Sequence, residues 1–457
     1  MTVITLQMRR RPILAALPLA VALSSGVFIG VFGVAQPAGA PLSPASPDPS
    51  YRPAPVAVAV PGPAAPAAPA APAALLLPAA PASPAPSAAP PAAVRMPGVR
   101  AIPATELQLR LEGIRARAGI PGVSVTILWP DGRYWTGVSG LADVAKAREV
   151  APDTAFSVAS VSKTFTAALI LQLVEEGKLK LDEPALPYLR GVKIDSKITV
   201  RQLLDHTSGL YDYFLNTRID RALRTDPDRV WTATDALRYV RKPYSKPGKA
   251  FAYSNTNYLL LGLLAERVTG RSMAVEIRRR FLRPLELDAT WYQAAERPRT
   301  AVAHGYRFAG TTRTARPIDL SDGTDVFPFR SVITASGAAG SIAANSHDLA
   351  RWAQALYGGE VLEPASLDAM LAGAAANTPL RPRIPYGLGV QEIVVGRWPS
   401  YGHSGRFLGF RASMRYLPQM GVSIAVLTNQ SRTDPSGMVA ALLNIVFPPQ
   451  EQCLACR

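Results

Sequence analysis

Apolar positions change character several times along the chain. Ile13 to Val34 is an almost uncharged apolar stretch behind Arg9, Arg10 and Arg11, ending in Ala38-Gly39-Ala40. That is the layout of an export signal, and the stretch is also long enough to span a bilayer, so residues 1–40 read as a signal peptide or an N-terminal anchor. From Pro41 to Pro97 the chain is Ala and Pro with scattered Ser. Such a segment cannot bury enough surface to fold and favours extended polyproline II. Residues 41–98 therefore read as a spacer, reaching on the order of 150 Å at ~3 Å per residue. Ordinary patterning begins near Ile102: a helix over Thr105 to Ala118, an apolar strand over Gly122 to Trp129, a turn at Asp131-Gly132 and a partner strand over Arg133 to Gly140. A long apolar helix is predicted from Ser160 to Glu176, capped by Gly177. Thr199 to about Leu287 reads as mostly helical, broken by Pro and Gly. Tyr386 to Val395, Leu408 to Tyr416 and Gly421 to Thr428 read as successive strands, with a turn at Pro418 to Gly421, and Gly437 to Ile445 as a last helix. Strands at both ends of a helical middle predict one α+β domain with a helical insertion, over residues 99–449, followed by a tail at 450–457.

Composition adds little except at the N-terminus. Of 43 Pro, 21 lie in the first 98 residues, with five Arg and one Asp as the only charges there. The whole chain has 49 Lys and Arg against 33 Asp and Glu; without that segment 44 stand against 32, or +12. The remainder is an ordinary basic globular domain. The two Cys, Cys453 and Cys456, sit in the last five residues, which excludes a disulfide framework or a Cys-ligated metal core. Their spacing is that of a redox motif, but they sit on a tail without the strand and helix such a motif needs, which favours a local disulfide or idle thiols.

Three short motifs carry chemistry. In Ser160-Val161-Ser162-Lys163 the Ser and Lys fall on one helix face, so a buried amine can take the hydroxyl proton, and the helix N-terminus adds positive potential where an oxyanion forms. Tyr253-Ser254-Asn255 precedes a helix expected near Asn257; a phenol beside a Lys ammonium can have its pKa lowered enough to act as a base, and Asn255 points the same way to bind an amide. His403-Ser404-Gly405 closes a strand where Gly allows close approach of a substrate backbone. Together and in this order the three are more informative than any one. His206 reads as a structural hydrogen-bonding histidine, His304 and His347 lack metal-ligand spacing, and Arg278 to Arg280 read as a solvated helix face that could also attract anionic polymer or lipid headgroups. No phosphate loop and no Gly-x-Ser-x-Gly elbow is present.

With these motifs, Phe156 to Ser160, the segment Leu203-Leu204-Asp205-His206-Thr207-Ser208-Gly209-Leu210, the helix start Ser346 to Trp352 and Tyr401 to Gly405, the chain resembles the penicillin-recognising serine hydrolases: class C β-lactamases, D-alanyl-D-alanine carboxypeptidases and related esterases. The resemblance covers roughly Ile102 to Pro448. It implies a β-lactamase/transpeptidase-like fold, an antiparallel sheet flanked by helices. It also implies Ser160 as acylated nucleophile, Lys163 as its proton partner and Tyr253 as base and leaving-group acid. His403 would support Tyr253 electrostatically, Asn255 would bind the substrate amide and Ser404 its carboxylate, with Gly405 lining the site. The oxyanion hole would be the N–H groups of Ser160 and Arg406. Class C enzymes usually carry Lys where this chain has His403, which favours a peptidase. For the family's carboxylate-binding arginine, Arg397, Arg406 and Arg411 are candidates.

The expectation is an exported enzyme of the periplasm or cell envelope, without metal or organic cofactor, acting on a D-Ala-D-Ala-like peptide or related amide. A β-lactam or small ester is the alternative substrate, and a silent binder of cell-wall peptide the alternative from another class. Peptidoglycan is a candidate partner and nucleic acid is not, because export removes it; a membrane enters only through an uncleaved N-terminal segment.

Overall fold

Alternation along Gly122–Leu128 puts Val123, Val125 and Ile127 on one face of a strand and Ser124 and Thr126 on the other, and all seven residues are buried. A strand covered on both sides must lie inside a layered sheet. The structure is a computed structural model and describes residues 104–308, 315–321, 329–373 and 383–448. The N-terminal segment, the Ala/Pro spacer and Cys453 and Cys456 lie outside the described residues. Helix α1 (Ala104–Ala118) leads into β1 (Gly122–Leu128), β2 (Tyr134–Asp143) and the short β3 (Arg148–Glu149); β4 (Gln391–Val395), β5 (Trp398–Phe407), β6 (Phe410–Leu417) and β7 (Val422–Thr428) come from the other end. They form one antiparallel seven-stranded sheet in the order β3-β2-β1-β7-β6-β5-β4.

Each face of the sheet has its own core. Val123, Val125 and Ile127 join Val422, Ile424 and Val426 of β7 against Leu107 and Leu111 of α1 and Leu442 and Leu443 of the last helix, α5 (Ser436–Val446; the intervening helices follow). On the opposite face Ala412, Met414, Ala425 and Leu427 meet α2 (Ser162–Glu175) and α4 (Ser346–Tyr357). The hydroxyls of Ser124 and Thr126 both reach Ser346 Oγ at 2.8 Å, so these buried polar groups are satisfied at the first turn of α4.

Helix α2 is buried from Ser162 through Leu171, which is why its sequence is apolar all round rather than amphipathic. Gly177 ends it at φ +68°; its N–H donates to Val174 O and that of Lys178 to Leu173 O, both at 2.9 Å, the paired bonds of a Schellman cap. The Phe165 ring stacks on Trp352 of α4 at 4.0 Å, and the Trp352 indole donates to Thr164 Oγ1. Between the small strands Phe156–Ser157 and Ile342–Ala344, which pair with each other, the chain makes its helical insertion. It includes Val200–Leu204, Thr217–Thr225, Ala233–Leu237, α3 (Asn255–Thr269) and Arg330–Ser336, around a core of Tyr213, Ile219, Trp231, Leu259 and Val332.

Three sequence expectations are corrected. The strand expected over Tyr386 to Val395 is only Gln391–Val395, because Gly389 turns at φ +80° where a Cβ would lie 2.6 Å from Ala167 Cβ. The ten residues of β5 form a full strand through the third motif rather than one that ends there. Finally, of Arg278 to Arg280 only Arg279 lies exposed as expected, though it bonds Glu276, whose side chain is 1% exposed; the Arg280 side chain is buried against Glu276, Glu176 and Gln172, and Arg278 pairs with Glu296.

Candidate active site

Ser160 sits in a 3₁₀ turn, Ala159–Val161, that feeds α2; the α-helix proper starts two residues later than the sequence indicates. Ala159 stands at φ +50°, a left-handed conformation that costs an L-residue about 1–2 kcal/mol. It turns the chain so that Ser160 is partly exposed beside a buried Lys163. Ser162 points the other way, its Oγ accepting from Ile342 N at 2.9 Å, which pins the turn to the small sheet.

The Lys163 amine has three neighbours: Asn255 Oδ1 at 2.8 Å, Ala339 O at 2.8 Å and Ser160 Oγ at 3.1 Å. Two of these are carbonyl oxygens and can only accept. When the amine is neutral, its lone pair therefore has one productive partner, the Ser160 hydroxyl. Burial lowers the Lys163 pKa from 10.5 to about 7, against the raising influence of Asp212, so the neutral form is populated at physiological pH. The geometry sets Lys163 to withdraw the proton from Ser160.

The second motif reaches the same amine. The Tyr253 ring centroid lies 5.1 Å from Lys163 Nζ, and Asn255, first residue of α3, supplies the carbonyl already named. Burial pushes the Tyr253 phenol well above 10, although a hydrogen bond with Ser160 pulls the other way. Burial thus opposes the lowering expected from the neighbouring amine and holds the phenol in its protonated, donating form. His206 holds this motif in place. Its Nδ1 accepts from Ser254 N at 3.2 Å and faces Asn257 Nδ2 at 3.1 Å, and its ring lies 4.2 Å from that of Tyr253. The segment that carries it, turning at Gly209 where a Cβ would meet Ser245 O at 2.2 Å, is a clamp on Tyr253 to Asn257.

On β5, His403 Nδ1 lies 2.7 Å from Ser404 O. A carbonyl only accepts, so Nδ1 carries the hydrogen and Nε2 accepts from Tyr386 O–H at 3.0 Å. Burial and the nearby Lys163 lower the His403 pKa to about 3. It is neutral near pH 7, and its ring lies 6.3 Å from that of Tyr253. Ser404 Oγ accepts from Arg415 Nη2 at 2.5 Å, and Gln391 Oε1 accepts from both Ser404 N and Arg415 Nη2. Arg415 is fully buried, its Nε and Nη1 have no hydrogen-bond partner, and no carboxylate pairs with it among the described residues. Burial lowers its pKa to about 10, leaving it charged at pH 7. Of the arginines proposed from sequence, Arg397 stacks on Trp398 and bonds Phe447 O, and Arg411 bonds Ser431 O; Arg406 stays half-buried at the end of β5.

Gly405 also has a task within the fold. A Cβ there would lie 2.1 Å from Val158 O, so the backbone that approaches it is the protein's own, in the loop that presents Ser160. Gly405→Ala is expected to destabilise the fold by about 1–3 kcal/mol through overpacking and to slow acylation, read by thermal unfolding and adduct formation; unchanged stability and rate would contradict this role. Outside the site, His304 lies between Asp319 (Nδ1 to Oδ2, 2.8 Å) and Asp143 (Nε2 to Oδ2, 3.6 Å). This cluster, with ligand atoms all within 4.8 Å of one another, is invisible in the spacing. Asp212, Ala339, Tyr386, Gln391 and Arg415 also escape the motif reading. Two carried a signal: an acid inside the apolar Leu210 to Phe214, and a charge on an inward position of β6.

A serine hydroxyl poised on a buried amine, in an antiparallel sheet flanked by helices, defines a serine hydrolase of the penicillin-recognising kind. The chain belongs to the beta-lactamase family, whose family model matches residues 107–445. It is 28% identical to penicillin-binding protein 4 of Amycolatopsis lactamdurans over 342 residues, 70% of this chain and 84% of that protein. Among solved structures it is similar to a D-stereospecific amidohydrolase from Streptomyces sp., at a TM-score of 0.64 and 27% identity over 76% of this chain and 99% of that one. It is likewise similar to the D-amino acid amidase of Ochrobactrum anthropi SV3 complexed with D-phenylalanine, at 0.64 and 25% over 75% and 98%. Among the described residues no helix is long and apolar enough to cross a membrane.

Proposed function

We propose that the chain is an exported serine hydrolase of the cell envelope that cleaves D-amino-acid peptides or amides through an acyl-enzyme on Ser160, with D-Ala-D-Ala-like termini as the preferred class. The observation that carries the reading is the Lys163 amine, whose lone pair has only Ser160 O–H to face. Ser160 Oγ attacks the substrate carbonyl as its proton passes to Nζ. The carbonyl oxygen becomes an oxyanion at the Ser160 and Arg406 N–H groups. The leaving amine takes a proton from Tyr253, which is replenished from Lys163, and water then hydrolyses the acyl-enzyme. Asn255 binds the acyl-side amide. Arg9 to Arg11 with the apolar segment behind them support export, and the Ala/Pro spacer supports a reach from the membrane toward wall polymer.

Arg415 supports a free carboxylate on the leaving side. Its N–H occupies a lone pair of Ser404 Oγ, leaving the Ser404 proton to be donated outward, and its buried charge favours an anion there. Release of D-alanine from an acyl-D-Ala-D-Ala peptide is expected to exceed cleavage of the same peptide carrying a C-terminal amide by about 10- to 100-fold, the worth of one charge-assisted hydrogen bond. In Arg415→Met that preference should fall to near unity. A second reading, an amidase for D-amino acid amides, is favoured by the likeness to the two amidohydrolase structures; equal rates on both peptides with faster cleavage of D-phenylalanine amide would select it.

A further inference from the structure

Asp212 lies outside every motif, two residues past Leu210, and is 5% exposed. It caps the short 3₁₀ turn Tyr213–Leu215 by accepting from Phe214 N at 3.1 Å. Its second oxygen accepts from Asn255 Nδ2 at 2.9 Å, and Asn255 Oδ1 accepts from Lys163 Nζ at 2.8 Å. A continuous chain thus runs from carboxylate to amide to the amine beside Ser160.

We propose that Asp212 is a positioning residue for acylation, fixing the Asn255 amide so that its carbonyl faces Lys163 and its remaining N–H faces the substrate. The inference rests on the roles given above to Ser160 and Lys163. A carboxylate only accepts, so it selects the NH₂ end of Asn255. The flipped amide would set oxygen against oxygen at Asp212 and a donor against the ammonium at Lys163, losing two buried hydrogen bonds at once. The same carboxylate acts on the amine as a charge. It is the one group that raises the Lys163 pKa, and its own pKa, raised to about 6 by burial, leaves it ionised at pH 7. The other titratable groups around Lys163 are Ser160, Tyr253 and Tyr258, with His206 and His403 coupled to it. Those around Asp212 are Tyr213, Tyr244 and Tyr253. Neither histidine is charged near neutrality, because burial lowers both pKa values, and burial keeps the phenols neutral too.

The sign of the effect follows. Acylation requires neutral Lys163, so its rate climbs with pH through the Lys163 pKa. Removing the Asp212 charge removes what raises that pKa, and the acid limb moves to lower pH. Asp212→Asn removes the charge and keeps one of the two acceptors, its carbonyl serving either Asn255 Nδ2 or Phe214 N–H. The test measures the second-order rate of Ser160 acylation against pH, with a labelled penicillin and with p-nitrophenyl acetate, on the full chain. Wild type, Asp212→Asn and Asp212→Glu are compared, with active sites counted by mass of the adduct. The expected result is a limb displaced downward by roughly one pH unit in Asp212→Asn and retained in Asp212→Glu. Asp212→Ser carries the same test if the asparagine variant does not fold. Superimposed wild-type and asparagine profiles, or an upward displacement, would overturn the inference while leaving Ser160 as nucleophile. Absence of any Ser160-dependent acylation in the wild type would remove the underlying reading and this inference with it.

Discussion

Ser160→Ala in the full-length chain is expected to take up no label from a penicillin and to lose hydrolysis by on the order of 10⁴- to 10⁶-fold, the scale on which nucleophiles of comparable catalytic units fail. The reason is geometric. Ser160 Oγ is the only one of the three Lys163 neighbours with a proton to give, and alanine leaves the amine with two carbonyl acceptors and nothing to activate. The fold should be untouched, with stability within about 1 kcal/mol, because the side chain is partly exposed and packs no core. Intact-protein mass spectrometry reads the outcome. A stable adduct on wild type alone fits a slowly deacylating, peptidase-like enzyme, whereas rapid loss of the penicillin without an adduct fits a β-lactamase. Neither adduct nor loss would move the reading to an esterase or to a silent binder. Hydrolysis persisting at the wild-type rate in the alanine variant would take Ser160 out of the mechanism.

Which parts of this site a sequence reveals depends on how far apart the interacting groups lie. Ser160 and Lys163 are legible because one helical turn joins them, and Tyr253 and Asn255 because they flank a helix start. The sheet strands β1, β2, β6 and β7 are legible from apolar runs separated by turns. Of β5 only its presence at the third motif is legible, not its extent from Trp398 to Phe407; Gly402 lies where a Cβ would sit 1.9 Å from Met414 O on the neighbouring strand. Arg415 is hidden because its partner Ser404 lies across a strand pairing that no local spacing shows, and Asp212 because its partner Asn255 is 43 residues away. The direction of a pKa is the least legible property. A phenol near an ammonium invites the idea of a lowered pKa, but burial acts on both groups, pushing the Tyr253 phenol up and the Lys163 amine down. Arg280 teaches the same lesson: in a basic run it looks solvated until the fold brings Glu276 and Glu176 against it.

Lys163→Met tests the proposed role of Lys163 as base and should separate catalysis from stability. Removing the base is expected to lower acylation by about 10²- to 10⁴-fold, the usual contribution of a positioned general base, and to abolish the acid limb near pH 7. The stability effect has a sign fixed by proton linkage. In the folded chain Lys163 loses its proton at about pH 7, whereas in the unfolded chain it holds it to 10.5. Between those values the unfolded state binds more protons, so this residue makes the folded state more stable as pH rises. Below pH 7 the buried amine is charged in both states and the native protein carries the full desolvation penalty, roughly 5 kcal/mol from the difference between the two pKa values. Methionine cannot titrate. The stability of the wild type relative to Lys163→Met should therefore rise by about 1.4 kcal/mol for each pH unit from 7 toward 10 and level off beyond. Urea unfolding at several pH values measures it, and constant offsets, such as the lost bonds to Ala339 O and Asn255 Oδ1, cancel in the slope. A flat difference across that window would mean that Lys163 stays protonated in the folded protein, and Tyr253 would then have to be reconsidered as the group that takes the Ser160 proton.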